Sequence, residues 1–360
     1  MMFNNFCKLN SFKGGILSMK KLFISFLIIS LVLLTLYPSF AQKKVRIGIV
    51  YDVGGRGDKS FNDAAYAGLQ KAIKLLKVEG KDLEPGPGGA NREELLRTLA
   101  EQNYNLVVGV GFLFTDAITK VAKEFPNVNF AIVDGYIEGL SNVSSLLFNE
   151  HEGSFLVGAI AGLMTKTNII GFVGGMDIPL IHKFEVGYKA GAMYVNPKVK
   201  VLINYIGVTG EAFKDPVKGK ELALAQYKQG ADIVYHASGA SGEGVFEAAK
   251  ETGKFAIGVD SPQAWIAPGR IITSMLKRVD EAIYLTIKDV VEGKFKGGPR
   301  YFGLANGGVD YEYSEYTKPL IPLKVKNRVD VLKKDIIAGK IVVPFDDKTF
   351  DEFKAKYLKK

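Results

Sequence analysis

Tyr51-Asp52-Val53-Gly54-Gly55-Arg56-Gly57-Asp58-Lys59-Ser60-Phe61-Asn62-Asp63 joins two segments of different periodicity. Before it, Val45-Arg46-Ile47-Gly48-Ile49-Val50 is a short apolar run, the pattern of a buried strand. After it, Ala64-Ala65-Tyr66-Ala67-Gly68-Leu69-Gln70-Lys71-Ala72-Ile73 has helical spacing, with Ser60 or Asn62 as the cap. The stretch is therefore a strand-to-helix loop, and in open α/β sheets ligands bind at such loops, outside the carboxyl ends of the strands. Three glycines permit tight turns, while Asp52, Phe61 and Asn62 supply a carboxylate, an aromatic face and an amide. That set suits a ligand that is part flat ring and part polyol.

Two motif readings of the loop fail. A phosphate loop needs Gly, four residues, then Gly-Lys-Ser/Thr; here Asp58 precedes Lys59-Ser60 and Val53 holds the first position, and a carboxylate repels phosphate. Arg56-Gly57-Asp58 has no companion feature to make it an adhesion tripeptide. On local grounds alone the loop could also be a solvated connection whose Asp and Asn cap a helix.

At the amino end, Met19-Lys20-Lys21 followed by the apolar run from Leu22 to Tyr37 has the layout of a secretory signal, with small residues Ser39 and Ala41 placing cleavage after Ala41 and Met19 as an alternative start. The run falls just short of the ~20 residues of a membrane span. Loss of residues 1–41 removes four lysines and no acidic residue, lowering the net charge from +9 to +5. A mildly basic surface without a clustered basic stripe does not point to nucleic acid. The single cysteine, Cys7, lies before the apolar run, so the mature chain has no disulfide, no thiol nucleophile and no lipid-modified cysteine following the signal.

From residue 43 onward, short apolar runs alternate with helical ones. Leu106-Val107-Val108-Gly109-Val110, Phe130-Ala131-Ile132-Val133-Asp134 and the opening strand aim Asp52, Phe112 and Asp134 at one edge of one sheet. The pattern restarts at Ile169-Ile170-Gly171-Phe172-Val173-Gly174-Gly175 and runs through Val199–Tyr205, Asp232-Ile233-Val234-Tyr235-His236 and Ala256-Ile257-Gly258-Val259-Asp260. The unit repeats in architecture without repeating in sequence, which implies two similarly built lobes. Expected boundaries are 43–148 plus 262–301 for the N-terminal lobe, 149–261 plus 302–345 for the C-terminal lobe, and 346–360 as a tail. Ile271-Ile272-Thr273-Ser274-Met275 is thereby a strand of the first lobe, and hinges fall near Phe148, Asp260 and Phe302. A ligand held between such lobes is clamped by hinge closure.

The three histidines, His151, His182 and His236, share no metal-ligand spacing. Ser238 and Ser241 follow His236, but Gly239-Ala240-Ser241-Gly242 is one residue short of a nucleophile elbow, and His236 reads as a satisfied structural histidine. No catalytic residue, metal site or cofactor is expected.

Seven segments in order resemble the basic membrane protein family, extracytoplasmic substrate-binding proteins of ABC transporters of the purine nucleoside receptor A type. They are Asp52 with Lys59-Ser60-Phe61-Asn62-Asp63, Gly109-Val110-Gly111-Phe112, Phe130 to Gly135, Gly171-Phe172-Val173-Gly174-Gly175, Ala237-Ser238-Gly239 with Gly244-Val245-Phe246, Ile257-Gly258-Val259-Asp260, and Thr273-Ser274-Met275-Leu276-Lys277. The resemblance covers essentially all of 43–345. It implies the type I periplasmic-binding-protein fold, an α/β architecture of two doubly wound parallel-sheet lobes joined by a multi-strand hinge. It further implies Phe61 and Phe213 about a purine ring, Asp52 and Asn62 at the ligand's polar edge, Asp260 and Lys277 near ribose hydroxyls, and Phe112, Asp134 and Gly239 lining the cleft. An ABC permease is the implied partner and a monomer the expected state; many relatives are lipoproteins, a pattern from which this chain departs.

The residues themselves leave alternatives open. Phe61 at a helix start could be core, Phe213 could pack the lobes together, each of Asp52, Asp134 and Asp260 could cap a helix, and Lys277 could pair with Asp280. A nucleoside-binding protein is the leading function; a secreted nucleoside hydrolase or phosphorylase comes second, although Val53-Gly54-Gly55 offers no metal-binding aspartates beside Asp52. A sugar or amino-acid binding protein of the same fold is third, and paired rings suit a flat base better than either.

Overall fold

The computed structural model describes residues 44–358 together with Phe23; the expected leader and its cleavage site lie outside the described residues. Strand β1 (Arg46–Val50) leads into the opening loop, and helix α1 (Phe61–Leu76) follows it. β1 pairs in parallel with β2 (Glu79–Leu83) on one side and β3 (Leu106–Val110) on the other, then β4 (Asn129–Val133), β5 (Val143–Phe148) and β11 (Gly298–Phe302) extend the sheet, giving the order β2-β1-β3-β4-β5-β11. β2 escapes the sequence reading because Glu79-Gly80-Lys81-Asp82-Leu83 has no apolar run: as an edge strand it borrows its conformation from pairing with β1.

A second sheet repeats the plan: β6 (Ile169–Met176), β7 (Lys200–Gly207), β8 (Ile233–Ala237), β9 (Phe255–Asp260), β10 (Ile271–Lys277) and β12 (Val309–Tyr311), in the order β7-β6-β8-β9-β10-β12. Only β12, against β10, runs antiparallel. Parallel central strands covered on both faces read as unbroken apolar runs, which is why they stood out in sequence.

Helices cover both faces of each sheet. In the first lobe, α2 (Arg92–Glu101) and α3 (Thr115–Glu124) bury Leu96, Leu99, Ile118 and Val121 on one face. On the other face, α1 lies with α8 (Val279–Val291). In the second lobe, α6 (Pro216–Lys228) and α7 (Gly242–Thr252) cover one face, and α4 (Glu150–Met164), α5 (Pro179–Val195) and α9 (Leu323–Ile337) the other. α4 and α5 meet backbone to backbone: a Cβ on Gly158 would stand 2.1 Å from the Tyr188 carbonyl, and one on Gly191 2.0 Å from that of Phe155.

Two boundaries differ from expectation. β10 pairs with β9 from Ile271↔Ala256 to Leu276↔Asp260, so it belongs to the second lobe. The chain therefore crosses after Lys277, not near Asp260. An apolar run announces a strand but not the sheet it joins. The three crossings lie between β5 and α4, between β10 and α8, and between β11 and β12, and Phe148 and Phe302 stack beside them with ring centroids 5.1 Å apart. Residues expected as a tail instead carry α10 (Asp347–Phe353), capped by Asp346 and burying Phe350 and Phe353, the latter edge-on to Phe155.

Candidate ligand-binding site

The carboxyl ends of strands from both sheets face a single cavity of about 580 Å³ counting its open mouth. All nine residues singled out from sequence, Asp52, Phe61, Asn62, Phe112, Asp134, Phe213, Gly239, Asp260 and Lys277, line it. So do Leu180, Ile181 and Phe184 at the start of α5, and Ser238, which sequence reading did not place there. The signal for Phe184 was its position: it sits in the helix after the second lobe's first strand, as Phe61 sits in the helix after β1.

The opening loop is built around Asp58. Its carboxylate accepts the backbone N–H groups of Ser60, Asn62 and Asp63 at 2.9, 2.9 and 3.1 Å, so Asp58 supplies the N-terminal satisfaction of α1 expected from Ser60 or Asn62. Ser60, freed from capping, donates its hydroxyl to Asp260 Oδ2 at 2.5 Å across the cleft. Asn62 lines the cavity with its amide committed: Oδ1 accepts the Asp52 N–H at 3.0 Å and Nδ2 donates to Asp58 at 3.0 Å. It therefore holds Asp52 in place. Asp52 accepts from its neighbour Val53 N–H and from Arg92 at 3.2 Å. Burial raises its pKa to about 6, with Arg92 pulling the other way.

Asp134 and Asp260 occupy matching places, after β4 and at the end of β9, each with left-handed backbone, φ +64° and +65°. Sparsely populated backbone of this kind persists where surrounding structure imposes it. Burial pushes the Asp260 carboxyl up to about 7, against the pull of Lys277 and the Ser60 hydrogen bond. Lys277 closes the floor: its Nζ lies 2.6 Å from Asp134 Oδ2 and 3.1 Å from Glu150 Oε1, all three side chains being buried. Burial opposes the ammonium charge, but the surrounding carboxylates outweigh it and raise the pKa. For Asp134 burial wins and raises the pKa, whereas Lys277 and Lys183 hold Glu150 below the carboxylate range despite its burial. Asp134 Oδ1 is buried without a partner, an acceptor available to a ligand hydroxyl. Asp280 is taken by Arg278 at 2.8 Å, not by Lys277.

The aromatic faces come from both lobes. Phe61 stands at the start of α1, with Lys277 Nζ 5.3 Å from its ring centroid. The Phe213 ring packs so closely on Gly175 that a Cβ there would meet it at 2.3 Å. His236 is buried, with Nε2 3.2 Å from Gln263 and Nδ1 3.3 Å from Ser238. Across the mouth the lobes touch: Lys59 Nζ reaches Glu243 at 2.8 Å, and Gln263 Nε2 donates to the Lys59 carbonyl at 3.0 Å. The arrangement can enclose a flat ring beside hydroxyl groups.

Residues 44–347 match the family model of PnrA-like ABC transporter substrate-binding proteins. A lipoprotein of Pyrococcus abyssi is 40% identical over 304 residues, 78% of this chain and 74% of its own. The ABC transporter nucleoside-binding protein BmpA of Lactococcus lactis is 36% identical over 321 residues, 83% of this chain and 89% of its own. Among solved structures, an ABC transporter solute-binding protein of Aeropyrum pernix superposes with a TM-score of 0.78 at 34% identity, covering 87% of this chain and 98% of that one. With two parallel-sheet lobes in the type I periplasmic-binding arrangement and a cavity between them, this chain belongs to the Bmp family of ABC transporter substrate-binding proteins.

Proposed function

We propose that the protein captures a purine nucleoside outside the cytoplasmic membrane and delivers it unaltered to its ABC permease, acting as a monomer. The observation that carries this reading is the composition of the cavity: an aromatic ring from each lobe, Phe61 and Phe213, together with buried carboxylates that can accept hydroxyl hydrogens. Stacking on an aromatic ring is worth about 1–3 kcal/mol per base, and a carboxylate facing a vicinal diol is the usual device for ribose. In this reading Phe61, Phe112 and Phe213 bound the base, Asp52 meets its polar edge from a frame set by Asn62, and Asp134, Asp260, Lys277 and Gly239 surround the sugar. The name of the Lactococcus relative, a nucleoside-binding protein, supports the ligand class. The lipoprotein relatives support a location outside the cytoplasm, and no helix among the described residues is long and apolar enough to cross a membrane.

The test is calorimetry and thermal shift with purine nucleosides, pyrimidine nucleosides, free bases, ribose and leucine, with turnover assayed in the same samples. A nucleoside at 100 times its Kd should stabilise the protein by about 2.7 kcal/mol and be recovered intact. Cleavage of the nucleoside, or a response to ribose or leucine alone, overturns the reading.

A further inference from the structure

His236 sits on β8, and the proton arrangement around it follows from its neighbours. The amide of Gln263 is oriented twice over: Oε1 accepts the Val259 backbone N–H at 2.8 Å, and Nε2 donates to the Lys59 carbonyl at 3.0 Å. His236 Nε2 therefore faces an oxygen that can only accept, at 3.2 Å, so Nε2 carries the hydrogen. Among the described residues no carboxylate pairs with the ring, and burial holds its pKa down to about 4. The imidazole is neutral and its Nδ1 is bare. The Ser238 hydroxyl, 3.3 Å from Nδ1, is the donor of that bond.

Ser238 lines the cavity next to Gly239. With its one proton given to His236, its oxygen can offer a ligand nothing but lone pairs. We propose that Ser238 is a specificity-determining residue, an acceptor of fixed polarity that reads one hydrogen-bond donor of the bound ligand, with His236 and Gln263 as positioning residues that set that polarity. Lys59 belongs to the first lobe and Gln263, Val259, His236 and Ser238 to the second, so the polarity is set within one lobe and the meeting of the lobes adds the second bond that orients Gln263. A ligand presenting an acceptor at this place would face oxygen against oxygen, and a buried mismatch of this kind discriminates more sharply than a change in size.

The choice of probe rests on the nucleoside reading, and the experiment separates the two. Binding of inosine, its 2′-, 3′- and 5′-deoxy analogues and purine riboside to wild type and Ser238→Ala is measured by calorimetry; the four analogues remove in turn each donor that inosine has. Ser238→Ala is expected to weaken inosine about tenfold, and for one analogue, the one lacking the donor that Ser238 reads, wild type and variant should bind alike. Equal affinity of variant and wild type for inosine, or the same loss on all five ligands, overturns the proposal. Failure of wild type to bind any of the five would instead count against the nucleoside reading. The proposal is then decided without a variant, by the ¹⁵N shifts of the His236 ring: a neutral Nε2–H tautomer supports it and an Nδ1–H tautomer overturns it.

Discussion

Lys277 Nζ lies 2.6 Å from Asp134 Oδ2, joining the last residue of β10 in the second sheet to the residue that follows β4 in the first. One ammonium thus faces two buried carboxylates, Asp134 and Glu150, where the lobes meet.

Lys277→Met should remove about 3–5 kcal/mol of unfolding stability at neutral pH, because it strands buried carboxylates. In an Asp134→Asn, Glu150→Gln background the same change should be far milder. Urea titration of the four proteins checks the coupling; a full-sized loss in the neutralised background would show that Lys277 acts by packing alone.

Asp260 makes binding and stability respond to pH in opposite directions. Its pKa is raised from the ordinary carboxylate value to about 7, chiefly by burial, so its contribution to stability is fully present below about pH 4 and is lost as pH rises through 7. Ligand hydroxyls, in contrast, donate best to the ionised form. Nucleoside affinity should therefore rise between pH 5.5 and 8, with proton release detectable as a buffer-dependent enthalpy, and Asp260→Asn should remove the part of the rise centred near pH 7, leaving that of Asp52 near 6. A flat wild-type profile would remove Asp260 from contact with a ligand donor.

Phe61→Ala and Phe213→Ala should each weaken nucleoside binding by about 1–3 kcal/mol while shifting the melting temperature of the free protein little, since both side chains are only partly buried. Calorimetry on the two variants tests this. If Phe213→Ala leaves affinity intact, that ring serves lobe packing against Gly175 instead.

The Lys59–Glu243 pair bridges the mouth at 2.8 Å with both side chains about one-third exposed. Exposed pairs contribute up to about 1 kcal/mol, so Glu243→Gln should raise the ligand release rate by no more than about fivefold, and raised salt should mimic it. Stopped-flow release kinetics at two ionic strengths provide the measurement; an unchanged rate would mean the pair does not gate exit.

The buried strands were legible because a parallel strand covered on both faces has to be apolar along its whole length, as in Leu106-Val107-Val108-Gly109-Val110. The places where side chains enter the cavity were legible because they are strand ends: Asp52, Asp134 and Asp260 each close an apolar run. What stayed hidden depends on distant partners. β2 takes its conformation from β1, β10 shows which sheet it joins only through its register with β9, and Arg92 reaches Asp52 from 40 residues away. Neither the capping role of Asp58 nor the direction of the Ser238–His236 bond can be read from residue type. Each follows from which neighbouring groups must donate and which must accept.

Phe148, Glu150, Lys277 and Phe302 stand beside the points where the chain passes from one lobe to the other, and Lys277 Nζ also lies 5.0 Å from the Phe148 ring. Under the proposed function, the same side chains serve both recognition and mechanics. A lineage that altered its cargo by changing Lys277 or Asp134 would alter at the same stroke how readily the lobes swing apart. New preferences should accumulate first at positions remote from the crossings, such as Leu180, Phe184 and Ser238.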